Sequence, residues 1–169
     1  MKIILASTSP RRKELLEREG IDFIIDASSI TEYLDSSLEI EERLKKLAYD
    51  KGISIHEKYP DDVVISADTT IYHNGKIIGK AHSAQEAREI LESLSSDTHS
   101  VFTSVAVFYK DQVCTFVDET KVTFKNISDM IDDYLSIDEW QGKAGAYAIQ
   151  GVAGKFIEEV QGDIDNVIG

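Results

Sequence analysis

Apolar positions along this chain fall into continuous runs, period-two alternations and helical stripes, and each rhythm predicts an element. Ile3, Ile4, Leu5 and Ala6 make a short continuous run of the kind a buried strand uses. Helix signals follow at once: Ser9 suits an N-cap, Pro10 the first helical position, Leu15 and Leu16 an apolar face, and Gly20 a stop. The opening unit reads strand, polar turn, helix. A second strand is expected over Phe23 to Ile25, and Glu39 to about Glu57 reads as a helix with Ile40, Leu44, Leu47, Ala48 and Ile55 on one stripe. Lys51 falls on that same stripe. Val63 to Ala67 is another buried-strand run, expected to end at Asp68, Thr69 and Thr70. Asn74-Gly75 is a two-residue hairpin signal leading into Lys76 to Gly79, and Ser83 with Glu86 has the spacing of a capping box for a helix through Leu94.

Alternation dominates from Ser100 to Phe124, with Val101, Thr103, Val105 and Val107, then Val113, Thr115 and Val117 after Lys110-Asp111-Gln112. This predicts a long antiparallel hairpin. Ser128 is expected to cap a short helix to Leu135, and a glycine-rich loop from Gly142 to Gly154 leads into a strand over Lys155 to Val160 and a turn at Gly162. Helices interleaved with parallel-type and hairpin strands point to a mixed-sheet α/β protein with flanking helices. No linker-like stretch divides residues 1–169, so any second lobe is an insertion within one domain.

Composition narrows the function more than the fold. With 42% hydrophobic and 29% charged residues, the chain is an ordinary globular protein able to bury roughly 70% of its unfolded surface. Eighteen basic residues against 31 acidic ones leave a net charge of -13, which repels nucleic acid and anionic membranes. A polyanionic substrate would need a local basic pocket or a metal ion. Cys114 is the single cysteine, so no internal disulfide forms, and in its strand it reads as a core residue. No apolar stretch approaches the length of a membrane span, and the apolar run near Met1 is too short for a secretory signal, so a cytoplasmic address is expected. His56, His73, His82 and His99 show no metal-ligand spacing with Cys114 and are read as structural or surface residues.

Three groups of residues carry candidate chemistry. In Ser7-Thr8-Ser9-Pro10-Arg11-Arg12, two arginines in the first turn of a helix oppose its dipole unless an anion sits between them and the terminal N–H groups. A phosphate chain would satisfy both the hydroxyls and an arginine fork; the alternative is a solvated helix start with an ordinary Ser-Pro cap. Asp68 lies where open α/β sheets bind ligands, and its carboxylate suits either a divalent cation or proton abstraction from water, though an aspartate there also forms turns. Lys51 and Lys80 are cations that would by default reach solvent. Gln150, flanked by Ile149 and Gly151, either bonds backbone or reads a nucleobase edge. No Walker loop, GxGxxG fingerprint or Ser-His-Asp pattern is present.

Taken together, Leu5-Ala6-Ser7-Thr8-Ser9-Pro10-Arg11-Arg12 with Glu14-Leu15-Leu16, Ser66-Ala67-Asp68-Thr69, Gly79-Lys80 and Gly142-Lys143-Ala144-Gly145-Ala146-Tyr147-Ala148-Ile149-Gln150-Gly151 resemble the Maf family of nucleoside triphosphate pyrophosphatases, also called septum-formation-inhibitor-like proteins. The segments occur in the family's order across nearly the whole chain. The resemblance implies a mixed α/β fold similar to the inosine triphosphate pyrophosphatases, two lobes around a central cleft, and cleavage of a nucleotide between its α and β phosphates. It implies Asp68 as general base; Ser7, Arg12, Lys51 and Lys80 as phosphate-binding residues; Glu32 as a second acidic residue at a Mg²⁺ or Mn²⁺ site with Asp68; and a homodimer as the assembly. Arg11 after the Ser-Pro pair, Thr69 and Gln150 are similar to the dTTP/UTP subgroup rather than the 7-methyl-GTP one, and modified pyrimidine nucleotides are further candidate substrates. A nucleotide-binding regulator of septum formation that acts without turnover is the alternative function. Three departures stand out: Ala81 replaces the family's Pro after the site lysine, Gly162-Asp163 replaces a Gly-Ser pair, and the chain stops at Gly169 where relatives continue with a C-terminal helix.

Overall fold

The computed structural model describes residues 1–27 and 29–169. The apolar run at the start is strand β1 (Ile3–Leu5), and Pro10 opens helix α1 (Pro10–Arg18) behind Ser9, with Gly20 at φ +70° just past its end. Strand β2 (Ile24–Ile25) pairs parallel with β1, Ile4 facing Ile24. Helix α2 (Ile40–His56) buries Leu44, Leu47, Ala48, Gly52 and Ile55, the expected stripe with Gly52 added and with Ile40, at its first position, only half-buried.

Strand β3 (Val63–His73) pairs parallel with β1, placing Val64 opposite Ile4. It does not end at Asp68. Thr69, Thr70 and Ile71 are β-branched residues whose side chains favour an extended backbone, so the ladder continues to the Asn74-Gly75 turn. Both turn residues have positive φ, +49° and +76°, as a two-residue hairpin needs, and β4 (Lys76–Ile78) returns antiparallel on β3. In helix α3 (Ala84–Leu94) the Glu86 N–H donates to Ser83 Oγ at 3.1 Å, while the Glu86 carboxylate accepts from the N–H of His82 at 2.8 Å rather than from the cap residue itself.

The alternating segment forms β5 (Thr98–Tyr109) and β6 (Gln112–Phe124), joined at Lys110-Asp111. Cys114 is exposed on β6, not a core residue, because neither face of the first residues of that strand is covered. Helix α4 (Ile131–Ser136) starts after Met130. Ser128 does not cap it, because the cap position falls two residues later at Met130; the Ser128 N–H donates to the Asn126 side-chain carbonyl at 3.1 Å in a turn of its own. Lys155 lies in a 3₁₀ turn (Val152–Phe156) closed by Gly154 N–H on the Gly151 carbonyl, so β7 (Ile157–Gln161) begins later than alternation suggested. A five-residue helix, α5 (Ile164–Ile168), follows. Strand order in the seven-stranded mixed sheet is β2-β1-β3-β5-β6-β7, with β4 paired to β3 and β7 antiparallel to β6.

Two compact units share this chain. The first comprises Met1–Asp68, Thr103–Asp118 and Gly169, and packs Ile4, Ala6, Ala48, Ile55, Val64, Ala106 and Phe108 together. The second comprises Thr69–Phe102 and Glu119–Ile168, with a larger core that includes Leu91, Leu94, Phe124, Tyr134, Tyr147 and Phe156. No helix among the described residues is long and apolar enough to cross a membrane.

Candidate active site

Ser7 follows β1 and is buried, and its hydroxyl oxygen organises the turn into α1. It accepts from Arg12 Nη1 at 3.0 Å and from the Ser9 N–H at 3.2 Å. Arg12 Nε donates to the carbonyl of Gly169 at 3.0 Å. The first turn of α1 holds no acidic residue, and among the described residues the Ser9 hydroxyl caps none of its N–H groups. A positive helix end, an arginine fork and a serine hydroxyl therefore converge on one turn, the chemistry of an anion site. Burial lowers the Arg12 pKa, and nearby Arg11 adds to that, while the Asp68 and Glu32 carboxylates oppose it.

Those two carboxylates meet at Lys51. Its ammonium is 2.8 Å from Glu32 Oε1 and in still closer contact with Asp68 Oδ1. Lys51 does not run out to solvent along the helix: 18% of its side chain is exposed, against 14% for Asp68 and 58% for Glu32. Local packing explains the meeting. At Gly52, beside Lys51, α2 comes so close to the sheet that an added Cβ would collide with the Phe108 ring and the Ser66 hydroxyl. Ser66, two residues before Asp68 and so on the same face of β3, donates its hydroxyl to the Ala48 carbonyl at 2.6 Å. This seat sets Lys51 against Asp68.

Thr69, Lys80 and Gln150 belong to the second unit. Thr69 is half-buried in β3, and Gln150 is exposed in the turn where Gly151 N–H meets the Ala148 carbonyl. Lys80 is exposed and forms an isolated antiparallel bridge with Ala144, reinforced by Gly145 N–H on the Gly79 carbonyl at 3.1 Å. Lys80 is thereby attached to the glycine-rich loop. That loop is pinned from below: Tyr134 donates its hydroxyl to the Ala146 carbonyl at 2.9 Å, and the Tyr147 hydroxyl lies 2.7 Å from His99 Nε2. Gly145 at φ +68° sits over Ile71, where a Cβ would collide, and Ala146 holds φ +60°, a region non-glycine residues rarely adopt.

Reading the residues in order missed the Ser66–Gly52 seat and the tyrosine anchors. A glycine inside an otherwise apolar helical stripe was the available signal for the first; no local signal pairs Tyr147 with His99.

The family model described as Maf-like protein matches residues 2–169. The chain belongs to the Maf family. Among curated Maf relatives, the dTTP/UTP pyrophosphatase of Pyrococcus abyssi (strain GE5 / Orsay) is 44% identical over 168 residues, spanning 99% of this chain and 89% of the relative. The dTTP/UTP pyrophosphatases of Pyrococcus furiosus (strain ATCC 43587 / DSM 3638 / JCM 8422 / Vc1) and Bacillus anthracis are each 41% identical over 169 residues, spanning 99% of this chain and 88% of the relative.

Proposed function

We infer that the chain hydrolyses dTTP and UTP to the nucleoside monophosphate and pyrophosphate, clearing these and modified pyrimidine nucleotides from the cellular pool. The observation that carries this reading is the convergence of Asp68 and Glu32 on Lys51, in the same unit as the Ser7–Arg12 anion turn. Relatives that share the whole chain and bear the name dTTP/UTP pyrophosphatase supply the substrate class.

Two carboxylates gathered around one cationic nitrogen match what Mg²⁺ and Mn²⁺ ask of a protein, one or two carboxylates with substrate phosphates completing the shell. Asp68 and Glu32 would hold such an ion, which supplies charge neutralisation across the phosphates when bound. Ser7 and Arg12 cradle the phosphate chain, and Lys51 and Lys80 neutralise its oxygens. Asp68 takes a proton from the attacking water; the new P–O bond forms at the α phosphorus as the bond to the bridging oxygen breaks, and pyrophosphate leaves. Arg11, Thr69 and Gln150 discriminate the base. A small-molecule substrate, a cytoplasmic address and a homodimeric assembly belong to the same reading, and the charge of -13 disfavours nucleic acid as a partner.

Pyrophosphate release, screened over the eight common nucleoside triphosphates with Mg²⁺, tests the reading directly. Turnover should be fastest with dTTP and UTP. Asp68→Asn should lower it by about 10²- to 10⁴-fold, the usual contribution of a general base, with nucleotide binding retained. Unchanged turnover in that variant removes Asp68 from the role. Orthophosphate instead of pyrophosphate would identify a simple phosphatase, and tight nucleotide binding without product would identify the regulator of septum formation.

A further inference from the structure

Lys51 stands where a metal ion would have to stand. Asp68 on β3 and Glu32 ahead of α2 both direct a carboxylate oxygen at its ammonium, and the Lys51 and Asp68 side chains are largely shielded from water. Two carboxylates that meet at one point repel each other, and here the cation between them is covalently part of the chain. A dication on the same oxygens would sit in like-charge contact with the ammonium, so the two cannot share the position. Lysine suits exchange. Its point charge rides on a flexible four-carbon stem and can move to other oxygens, whereas Arg12 is tied to Ser7 and Gly169.

We propose that Lys51 is a resident counter-ion that holds Asp68 and Glu32 together in the nucleotide-free protein, excludes the divalent cation from them, and releases them when nucleotide phosphates offer it other oxygens. This rests on the reading of Asp68 and Glu32 as metal ligands. Metal and nucleotide then bind cooperatively, and linkage requires each to tighten the other by the same factor. The carboxylates stay paired until substrate arrives, so the protein alone holds metal weakly.

Mn²⁺ titration of the nucleotide-free full chain, followed by electron paramagnetic resonance, separates the outcomes. Lys51→Met, which keeps the length and removes the charge, should bind Mn²⁺ at least about tenfold more tightly than the wild type, and Lys51→Met/Asp68→Asn should lose that gain. Lys51→Gln is the second neutral variant should Lys51→Met fail to fold, as judged by circular dichroism. Neutral variants that bind Mn²⁺ no more tightly than the wild type overturn the exchange, and so does a gain that survives Asp68→Asn. Pyrophosphate release by the wild type is scored separately: release without the Mn²⁺ gain sinks only the exchange, and the gain without release sinks only the activity.

Discussion

Gly52 sits inside a 17-residue helix, where glycine costs about 1 kcal/mol relative to alanine. The compensation lies in what the missing Cβ allows, contact of α2 with Ser66 and Phe108 beside Lys51. In Gly52→Ala the helix must move off β3, because Phe108 is held in the core and Ser66 is hydrogen-bonded to Ala48. We expect a loss of about 1–3 kcal/mol from overpacking and a fall in turnover of about tenfold to a hundredfold as the shifted helix carries Lys51 away from the substrate phosphates. Urea midpoints and pyrophosphate release measure the two effects; turnover unchanged by Gly52→Ala would dissociate the seat from the chemistry. At this scale the sequence was informative about residue types and poor about partners. Lys51 stood out as a cation on an apolar stripe, and Asp68 as a carboxylate in a strand. Their ion pair depends on how closely a helix meets a sheet, and Glu32 entered only through family resemblance because its neighbours follow no period.

Elements with their own local chemistry were legible, and those settled by neighbours were not. The Asn74-Gly75 turn, the α2 stripe and the α3 cap each follow from short-range rules and appear where the sequence puts them. By contrast, Asp68-Thr69-Thr70 looks like a polar strand end. Its β-branched residues permit an extended backbone, and pairing of Ile71, Tyr72 and His73 with β4 fixes it, carrying the chain from one unit to the next at Asp68. Ser128 failed as a cap because the helix begins only at Ile131, which puts Met130 at the cap position. The α3 cap permits a quantitative check. Ser83→Ala removes the acceptor for the Glu86 N–H and should destabilise the protein by about 1 kcal/mol. Turnover should be unaffected, since Ser83 contributes nothing to the anion turn or to Lys51. A urea titration showing no shift would mean that the Glu86 link to His82 carries the cap alone.

Global stability should depend on pH through His99. This side chain is 2% exposed on β5, and its Nδ1 has no hydrogen-bond partner among the described residues. Burial pushes its pKa down from 6.5 to about 4; His73 adds to the shift and Asp97 opposes it. Above pH 6.5 the imidazole is neutral in both folded and unfolded chains, and its contribution is complete. As pH falls from 6.5 to about 4, the unfolded chain takes up a proton that the native site refuses, so stability is lost, by up to about 3 kcal/mol. Wild type and His99→Gln, compared by urea unfolding across that window, should diverge in slope, the wild type falling faster. Parallel slopes would place the imidazole proton elsewhere.

The interleaving of the two units also constrains how the protein is made. A ribosome completes β1, α2 and the first half of β3 well before Ala106 and Phe108, the residues that fill the core these elements share. The intervening residues, Thr69–Phe102, belong to the other unit, whose own core waits for Val122, Phe124 and everything to Phe156. Neither unit can become native on the growing chain until residues well past 100 have emerged. The nascent protein therefore carries Ile4, Val64 and the apolar face of α2 uncovered for most of its synthesis, and early chaperone contact belongs at those segments.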